Sequence, residues 1–201
     1  MKTVWTKEQI NEYQNIFNLT ENFIGKKIEE FIFYLDDEDI DFNEQENKYG
    51  KSLLNGVEII SNNEKYYLGN SFFETSYNGL NIKKGHLIDF ESIENKKQKK
   101  YPSTFLNEII TDVKIYWHKA FYGEYYVPIE ITFETNKNFI LFSSIEVNLG
   151  EVNTELTDEL LVIEDKLIAK KLSLGEFGIA NNGRKYFKNI DEIKNAEKNI
   201  D

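Results

Sequence analysis

Apolar residues recur at every second position in several segments of the chain, which is the spacing of β-strands with one buried face. In the segment KKIEEFIFYL, Phe31 and Phe33 follow this alternation, and Ile129, Ile131 and Phe133 repeat it in PIEITFE. Aromatic residues make up 14% of the chain, and these side chains favour strands. The pattern therefore predicts a strand-rich fold.

The two ends of the chain carry helical patterns instead. Thr6 followed by Gln9 matches a capping box, and apolar residues then recur at helical spacing, which predicts an amphipathic helix from about residue 7 to residue 17. Near the other end, the polar stretch from Asp191 to Asn199 predicts a second short helix.

Three segments of the first half recur in the same order in the second half. KKIEEFIFYL aligns with NEIITDVKIYW, GVEIISNNEKYYLGNSFFE with PIEITFETNKNFILFSSIEV, and LNIKKGHLI with LLVIEDKLI. The middle pair aligns without a gap, so that Glu58 falls on Glu130 and Tyr67 falls on Phe139. The shared order predicts a duplication. The alternative is that any two β-hairpins share alternating apolar residues.

Each half is predicted to be an antiparallel β-meander. Its first hairpin turns at SNNE or ETNKN and its second at KKG or ED, which contain residue types that favour turns. One meander alone leaves an apolar face and two edges uncovered, and a second copy would cover them. We expect a mainly β (α+β) fold, in which two related antiparallel β-meander halves are fused into one sandwich-like or barrel-like body with short N-terminal and C-terminal helices.

The expected organisation is a single domain over residues 1–201. Its parts are a first β half at 20–93, a Lys-rich linker at 94–104, a second β half at 105–173, and a C-terminal loop with a short helix at 174–201. In the linker, a run of lysines precedes Pro102, a pattern typical of a solvated linker or of a segment that protects a sheet edge.

The net charge of −11 narrows the functional classes. The chain has 35 acidic residues against 24 basic ones, and Arg184 is its single arginine. Nucleic-acid binding is disfavoured, because contacts to phosphates need clustered Lys and Arg. An acidic surface would attract a cationic partner, although solubility explains the net charge equally well.

The absence of cysteine excludes disulfide bonds, thiolate zinc sites and a Cys nucleophile. The segment MKTVWTKEQINEYQNIF lacks the apolar core of a signal peptide, and no later apolar run has the length of a membrane span. We expect a cytoplasmic protein that does not bind membranes.

Glu58 and Glu130 form the sharpest catalytic hypothesis. As equivalent residues of the two halves, they could face each other across a pseudo-twofold axis and share a proton. The alternative is that both lie on solvated faces, because they alternate with apolar residues. His86 and His118 lack metal-binding spacing, and the acidic run LDDEDIDFNEQE lacks the glycine and the glutamate of a calcium loop. We expect no metal and no cofactor.

Two segments are candidates for binding a partner, and the internal alignment places both between the first and second strands of their halves. The first is acidic and contains Asp36, Asp37, Glu38, Asp39 and Asp41. The second is aromatic and contains Trp117, His118, Phe121, Tyr122, Tyr125 and Tyr126. Tyr and Trp dominate binding hot spots, although the same rings could fill the core at an open end of the body.

These features favour a non-catalytic acidic protein-binding protein, for example an immunity protein that neutralises a cationic toxin. The expected partner is a basic protein. One alternative is a small-molecule or glycan-binding domain that uses the aromatic rings for stacking. Another is an enzyme that uses Glu58 and Glu130 in a central cleft.

Overall fold

The computed structural model describes residues 5–35, 51–53, 56–72, 78–85, 97–119, 125–144, 146–148, 151–153, 160–181 and 183–198. The strands are β1 (Glu30–Leu35), β2 (Lys51–Leu53), β3 (Val57–Ser61), β4 (Glu64–Phe72), β5 (Asn78–Lys84), β6 (Lys97–Lys100), β7 (Asp112–Lys119), β8 (Tyr126–Glu134), β9 (Phe139–Ser143), β10 (Glu146–Asn148), β11 (Glu151–Asn153), β12 (Leu160–Ile163) and β13 (Lys185–Tyr186). The helices are α1 (Lys7–Glu21), α2 (Lys166–Lys171), α3 (Gly178–Asn181) and α4 (Ile190–Lys198), and a 3-10 turn spans Gly175–Phe177.

Two antiparallel sheets contain most of these strands. The first sheet has the order β5-β4-β3-β1-β6 and the second has the order β13-β7-β8-β9-β12-β2, while β10 and β11 form a separate hairpin. Within the described residues each sheet ends in two edge strands, so the sheets do not close into a barrel. The predicted mainly β, sandwich-like body is confirmed.

The core lies between the inner faces of the two sheets. Phe31 and Val57 of the first sheet belong to the same buried cluster as Ile131 and Phe142 of the second. The rings of Phe31 and Phe142 are 5.8 Å apart between centroids. Because successive side chains of a strand point to opposite faces, membership in this cluster identifies the inner face of each strand.

Helix α1 packs beside this core and begins as the sequence predicts. The Thr6 hydroxyl accepts from the Gln9 backbone N–H at 3.1 Å, and the Gln9 side chain accepts from the Thr6 N–H at 2.9 Å. The helix ends at Glu21, later than the expected residue 17, because Thr20 continues its buried face. None of the described helices has the length and the apolar run that crossing a membrane requires.

The two meanders share strand order but differ in register. In chain order, β1, β3, β4 and β5 are neighbours in the first sheet, as β7, β8, β9 and β12 are in the second. Glu58 pairs with Tyr67, whereas Glu130 pairs with Ser143 and not with Phe139. The gap-free alignment across this hairpin is wrong, because the first loop has the two residues 62–63 and the second has the four residues 135–138. Duplication stays a prediction.

The prediction of a second hairpin that turns at ED is also wrong. Asp165 caps α2 instead, and its side chain accepts from the Leu167 N–H at 2.7 Å. In the first half, the continuation of the hairpin predicted at KKG lies outside the described residues after Gly85.

The segment predicted as a Lys-rich linker contains an edge strand. β6 pairs with β1 and ends the first sheet, with Lys99 and Lys100 exposed. Lysine is a common edge protector because its charge opposes pairing with another chain. Of the two interpretations of this run, edge protection therefore fits the structure.

Helix α4 packs against the start of β8 through a buried carboxyl group. Glu197 is 6% exposed, and its Oε1 accepts from the Tyr126 backbone N–H at 2.9 Å. Burial raises the pKa of Glu197 from 4.5 to about 7, although the hydrogen bonds from Tyr126 and Trp5 and the charge of Lys119 act in the opposite direction. The folded state therefore binds the Glu197 proton more tightly than the unfolded state does.

This pKa shift predicts a pH-dependent contribution to stability. The contribution of Glu197 is fully present below about pH 4.5 and is lost as the pH rises through about 7. We expect Glu197→Gln to lose this dependence, because its amide does not titrate. Chemical unfolding of the wild type and of the Glu197→Gln variant between pH 4 and 8 measures the pH dependence of stability. Parallel profiles for the two proteins would contradict the expectation.

Candidate functional site

Glu58 and Glu130 lie on the outer faces of opposite sheets. Their neighbours Ile59 and Ile131 belong to the shared core, so the two carboxylates point away from each other. They cannot share a proton, and the catalytic hypothesis is wrong in its geometry. The solvated-face interpretation is also wrong, since Glu58 is 1% exposed and Glu130 is 0% exposed. A further layer covers Glu130, whereas the described contacts of Glu58 come from its own sheet.

For Glu130, that layer is the C-terminal part of the chain. Arg184 is 0% exposed, and its Nε lies 2.9 Å from Glu130 Oε1. The backbone N–H of Gly175 donates to Glu130 Oε2 at 2.6 Å, and the Ser143 hydroxyl donates to Oε1 at 3.4 Å. Three groups from separate segments thus meet on one buried carboxylate.

Two glycines permit this close approach. Gly175 has a φ of +58°, and a Cβ there would lie 3.0 Å from Leu141 Cδ1. A Cβ on Gly178 would lie 2.7 Å from Arg184 Cγ and 2.6 Å from the Ser173 carbonyl oxygen. The glycines of LGEFG therefore serve packing over the sheet.

Glu58 has a different environment on the first sheet. Its Oε1 lies 3.0 Å from Lys65 Nζ, and the Tyr34 hydroxyl donates to Oε2 at 3.2 Å. Burial, together with the negative charge of Glu58, raises the pKa of Tyr34 to about 12. Each of the two carboxylates is thus occupied by a cation and a hydrogen-bond donor.

Two of the six residues in the aromatic segment predicted to bind a partner, Trp117 and Tyr126, lie in the core. Trp117 is 0% exposed and lies among three other rings, those of Tyr13, Phe17 and Phe187, at centroid distances of 5.0, 5.5 and 6.5 Å. Tyr126 is 5% exposed. Neither ring can contact a partner from this position, because α1 and the segment before α4 cover them. The alternative that these aromatics fill the core fits the structure.

Of the other predicted contact residues, two are described by the structure and the rest are not. His118 and Tyr125 are half-buried. Burial and the neighbouring charge of Arg184 lower the pKa of His118, although a hydrogen bond with the Gly183 backbone opposes the shift. Phe121 and Tyr122 lie outside the described residues. The acidic candidates Asp36, Asp37, Glu38, Asp39 and Asp41 also lie outside them.

A groove opens beside α1, where the edge of the second sheet is only partly covered. It has a volume of about 240 Å³ and is formed by the end of α1, the first half of β7, and β13 with the residues after it. Its lining residues are Phe17, Thr20, Glu21, Ile24, Asp112, Val113, Ile115, Tyr186, Phe187 and Lys188. We call it the α1–β7 groove.

The α1–β7 groove combines apolar surface with carboxylates. Ile24 is 49% exposed and Tyr186 is 39% exposed, so both present apolar surface at the groove. Glu21 is exposed, and the Asp112 side chain is 43% exposed while it lies 3.2 Å from Lys114 Nζ. Burial and the nearby negative charge of Asp112 raise the pKa of Tyr186 above its ordinary value, although the charge of Lys114 opposes this shift.

The chain passes from β13 into α4 next to this groove. The Asn189 side chain accepts from the Glu192 N–H at 3.1 Å, and the Glu192 carboxylate accepts from the Lys188 N–H at 2.9 Å. β13 pairs only with Tyr116 and Trp117, and α4 begins four residues after Tyr186. The remainder of β7 gains no neighbour from this segment.

Sequence reasoning missed this groove. Its residues come from segments near positions 20, 113 and 187, and nothing in their local patterns brings them together.

Among the described residues, no group of three or more His, Asp or Glu side chains has the arrangement that would hold a metal ion. Comparison of the chain with protein-family models, with curated proteins and with solved structures finds no match.

The buried ion pair leads to a prediction on stability. Arg184→Met should destabilise the protein by about 3–5 kcal/mol, because it leaves the Glu130 charge buried without its cation. The double variant Glu130→Gln/Arg184→Met should recover most of this loss, since the amide still accepts from Gly175 and carries no charge. Chemical unfolding measures both. A double variant as unstable as Arg184→Met would show that shape, not charge, dominates here.

The buried position of Trp117 leads to a second prediction on stability. Trp117→Ala should lower the free energy of unfolding by about 3–5 kcal/mol, because the smaller side chain leaves a cavity lined by aromatic rings. Trp117→Phe should cost distinctly less, since it keeps an aromatic ring. Thermal and urea unfolding provide the measurement. A Trp117→Ala variant as stable as the wild type would contradict the core position of this ring.

Proposed function

We propose that this chain is a non-catalytic protein-binding protein that captures a basic protein partner in the α1–β7 groove, in the manner of an immunity protein that neutralises a cationic toxin. The observation that carries the proposal is the groove itself. It places exposed Ile24 and Tyr186 beside the carboxylates of Glu21 and Asp112. Apolar anchors surrounded by polar groups are the usual anatomy of a protein interface.

The charge of the chain supports the same class of partner. A net charge of −11 attracts cationic proteins over distances of about 10 Å at moderate salt. In this scheme the rim carboxylates increase the association rate, and the apolar contacts in the groove slow dissociation. Lys188 at the rim would fix the orientation of the partner by repelling part of its charge.

The alternatives have less support. The enzyme hypothesis needed Glu58 and Glu130 in one cleft, and they lie on opposite outer faces with a cation beside each. Glycan binding needed exposed rings, and Trp117 and Tyr126 are buried. The groove volume of about 240 Å³ is also below the roughly 300–1,000 Å³ of sites for small molecules.

Affinity capture with matched variants tests the proposal. The bait is the wild-type chain, and the groove variant is Glu21→Lys/Tyr186→Ala. The control Glu8→Lys/Leu167→Ala makes the same charge reversal and also truncates a large apolar side chain, at exposed residues elsewhere. Glu8 lies about 20 Å from Glu21 along α1. We expect a Lys- and Arg-rich protein that binds the wild type and the control, and binds the groove variant at least tenfold more weakly.

The captured protein is then purified and titrated against each variant by calorimetry in low and high salt. A 1:1 complex that weakens with salt, with no chemical change in either protein, supports the proposal. Growth arrest by the captured protein, relieved by co-expression of this chain, supports the immunity role. Equal affinity of the groove and control variants, or a partner that is not basic, would overturn the assignment.

A further inference from the structure

The α1–β7 groove has an apolar floor and a charged rim. Ile115 and Phe187 belong to the inter-sheet core and Val113 packs against that core, so the floor of the groove continues the core to the surface. At the rim, Glu21 is exposed and the Asp112 side chain is 43% exposed. A long side chain that lies along the groove would therefore contact apolar surface and reach negative charge.

The half-exposed ring of Tyr186 lies on the same face of the second sheet as Asp112. Tyr186 pairs with Tyr116 across β13 and β7, and directly paired residues share a face. Asp112 and Tyr116 share that face too, because they are four residues apart in one regular part of β7. Burial and the charge of Asp112 raise the pKa of Tyr186, and the second effect requires that the carboxylate be near the phenol.

The lining of the groove carries net negative charge. Its charged lining residues are the carboxylates of Glu21 and Asp112 and the ammonium group of Lys188. Lys114 Nζ lies 3.2 Å from Asp112 Oδ2, but it is shared with the Glu134 carboxylate at 3.6 Å. A further cation would therefore be attracted to this rim, and Lys188 would weaken the attraction without cancelling it.

We propose that the groove receives one arginine side chain of the basic partner, with its stem on the apolar floor and its guanidinium beside the Tyr186 ring and the Asp112 carboxylate. This inference rests on the proposed function, since it names the side chain that occupies the same groove. A guanidinium is planar, stacks on aromatic rings and donates two parallel N–H groups to a carboxylate. A lysine ammonium would make only a point-charge contact, so it fits the same groups less well.

A second copy of the chain cannot supply this occupant. Arg184 is the single arginine of the sequence, and it is 0% exposed with its Nε bonded to Glu130. Two copies would also bring together molecules of net charge −11. An apolar side chain of a partner would fill the floor, but it would cover the carboxylates of Glu21 and Asp112 without supplying a cation. The arginine must therefore come from another protein.

Peptides that differ in one side chain test the identity of the occupant. The probe is acetyl-Gly-X-Gly-amide, in which X is arginine, lysine, citrulline or norleucine. Citrulline has the shape of arginine without its charge, and norleucine supplies an apolar stem alone. Binding to the ¹⁵N-labelled chain is followed by amide chemical shifts. We expect the arginine peptide to shift the amides of 112–115 and 186–188 and to bind about tenfold more tightly than the citrulline and norleucine peptides, with lysine between them.

Variants of the chain test which groups contact the guanidinium. Asp112→Asn removes the charge with little change of shape, and Tyr186→Leu removes the ring, so each should weaken binding of the arginine peptide by about threefold or more. Tyr186→Phe keeps the ring and should restore the binding that Tyr186→Leu loses. Lys188→Gln removes the opposing cation and should strengthen binding about twofold. All three positions are at least partly exposed, and urea unfolding checks that each variant folds.

A second arm uses the captured partner of the full-length chain. Each exposed arginine of that partner is changed to glutamine, and affinity is measured against the wild type and against Asp112→Asn. One arginine variant should bind the wild type at least tenfold more weakly, because an arginine in a pocket is a typical hot spot. The same variant should lose distinctly less affinity against Asp112→Asn, since both changes remove one shared contact.

Three results would overturn the arginine assignment. These are equal affinity of the arginine and citrulline peptides, shifts confined to other surfaces, and an arginine scan in which no position is coupled to Asp112. If no peptide binds, the arginine scan decides. If Glu21→Lys/Tyr186→Ala still weakens capture of the basic partner after such a failure, the groove binds through other side chains and the proposed function stands. If it does not weaken capture, the proposed function fails as well.

Discussion

The buried ion pair between Glu130 and Arg184 is the contact on which the remaining arrangement depends. It joins the middle of the second sheet to a segment that is 54 residues later in the chain. β13 begins directly after Arg184, so the pair sets where that strand meets β7. The position of β13 in turn sets one wall of the α1–β7 groove. A contact with no role in binding therefore determines the geometry of the surface that we propose to bind.

Strand alternation predicted the direction of the buried carboxylates but not their environment. Both Glu58 and Glu130 point outward, as their position between apolar residues requires. An outward-facing side chain is exposed to solvent only when nothing packs on the outer face of the sheet. The groups that cover Glu130 come from Gly175 and Arg184, and no local pattern near position 130 indicates them. The fold class could be predicted because it depends on local periodicity, whereas this layer depends on distant contacts.

The same distinction explains the misplaced aromatic segment and the misaligned hairpin. A cluster of rings has one composition whether it faces solvent or α1, and the contacts of Trp117 with Tyr13 and Phe17 decide the matter. In the hairpin, periodicity repeats every second residue, so a loop that is longer by two residues leaves the apolar pattern intact while it shifts the register. Sequence periodicity could predict the strands but could not fix these pairings.

An open strand edge is a hazard that β proteins usually cover, and this chain treats its edges in two ways. On the first sheet, exposed lysines on β6 oppose pairing with another chain. On the second sheet, the short strand β13 pairs only with Tyr116 and Trp117, and the α1–β7 groove lies beside the preceding part of β7. Apolar side chains and carboxylates line that opening, and the net charge of −11 repels further copies of the same chain. Apolar surface beside carboxylates, on a chain whose charge repels its own copies, is the combination on which the proposed binding of a cationic partner depends.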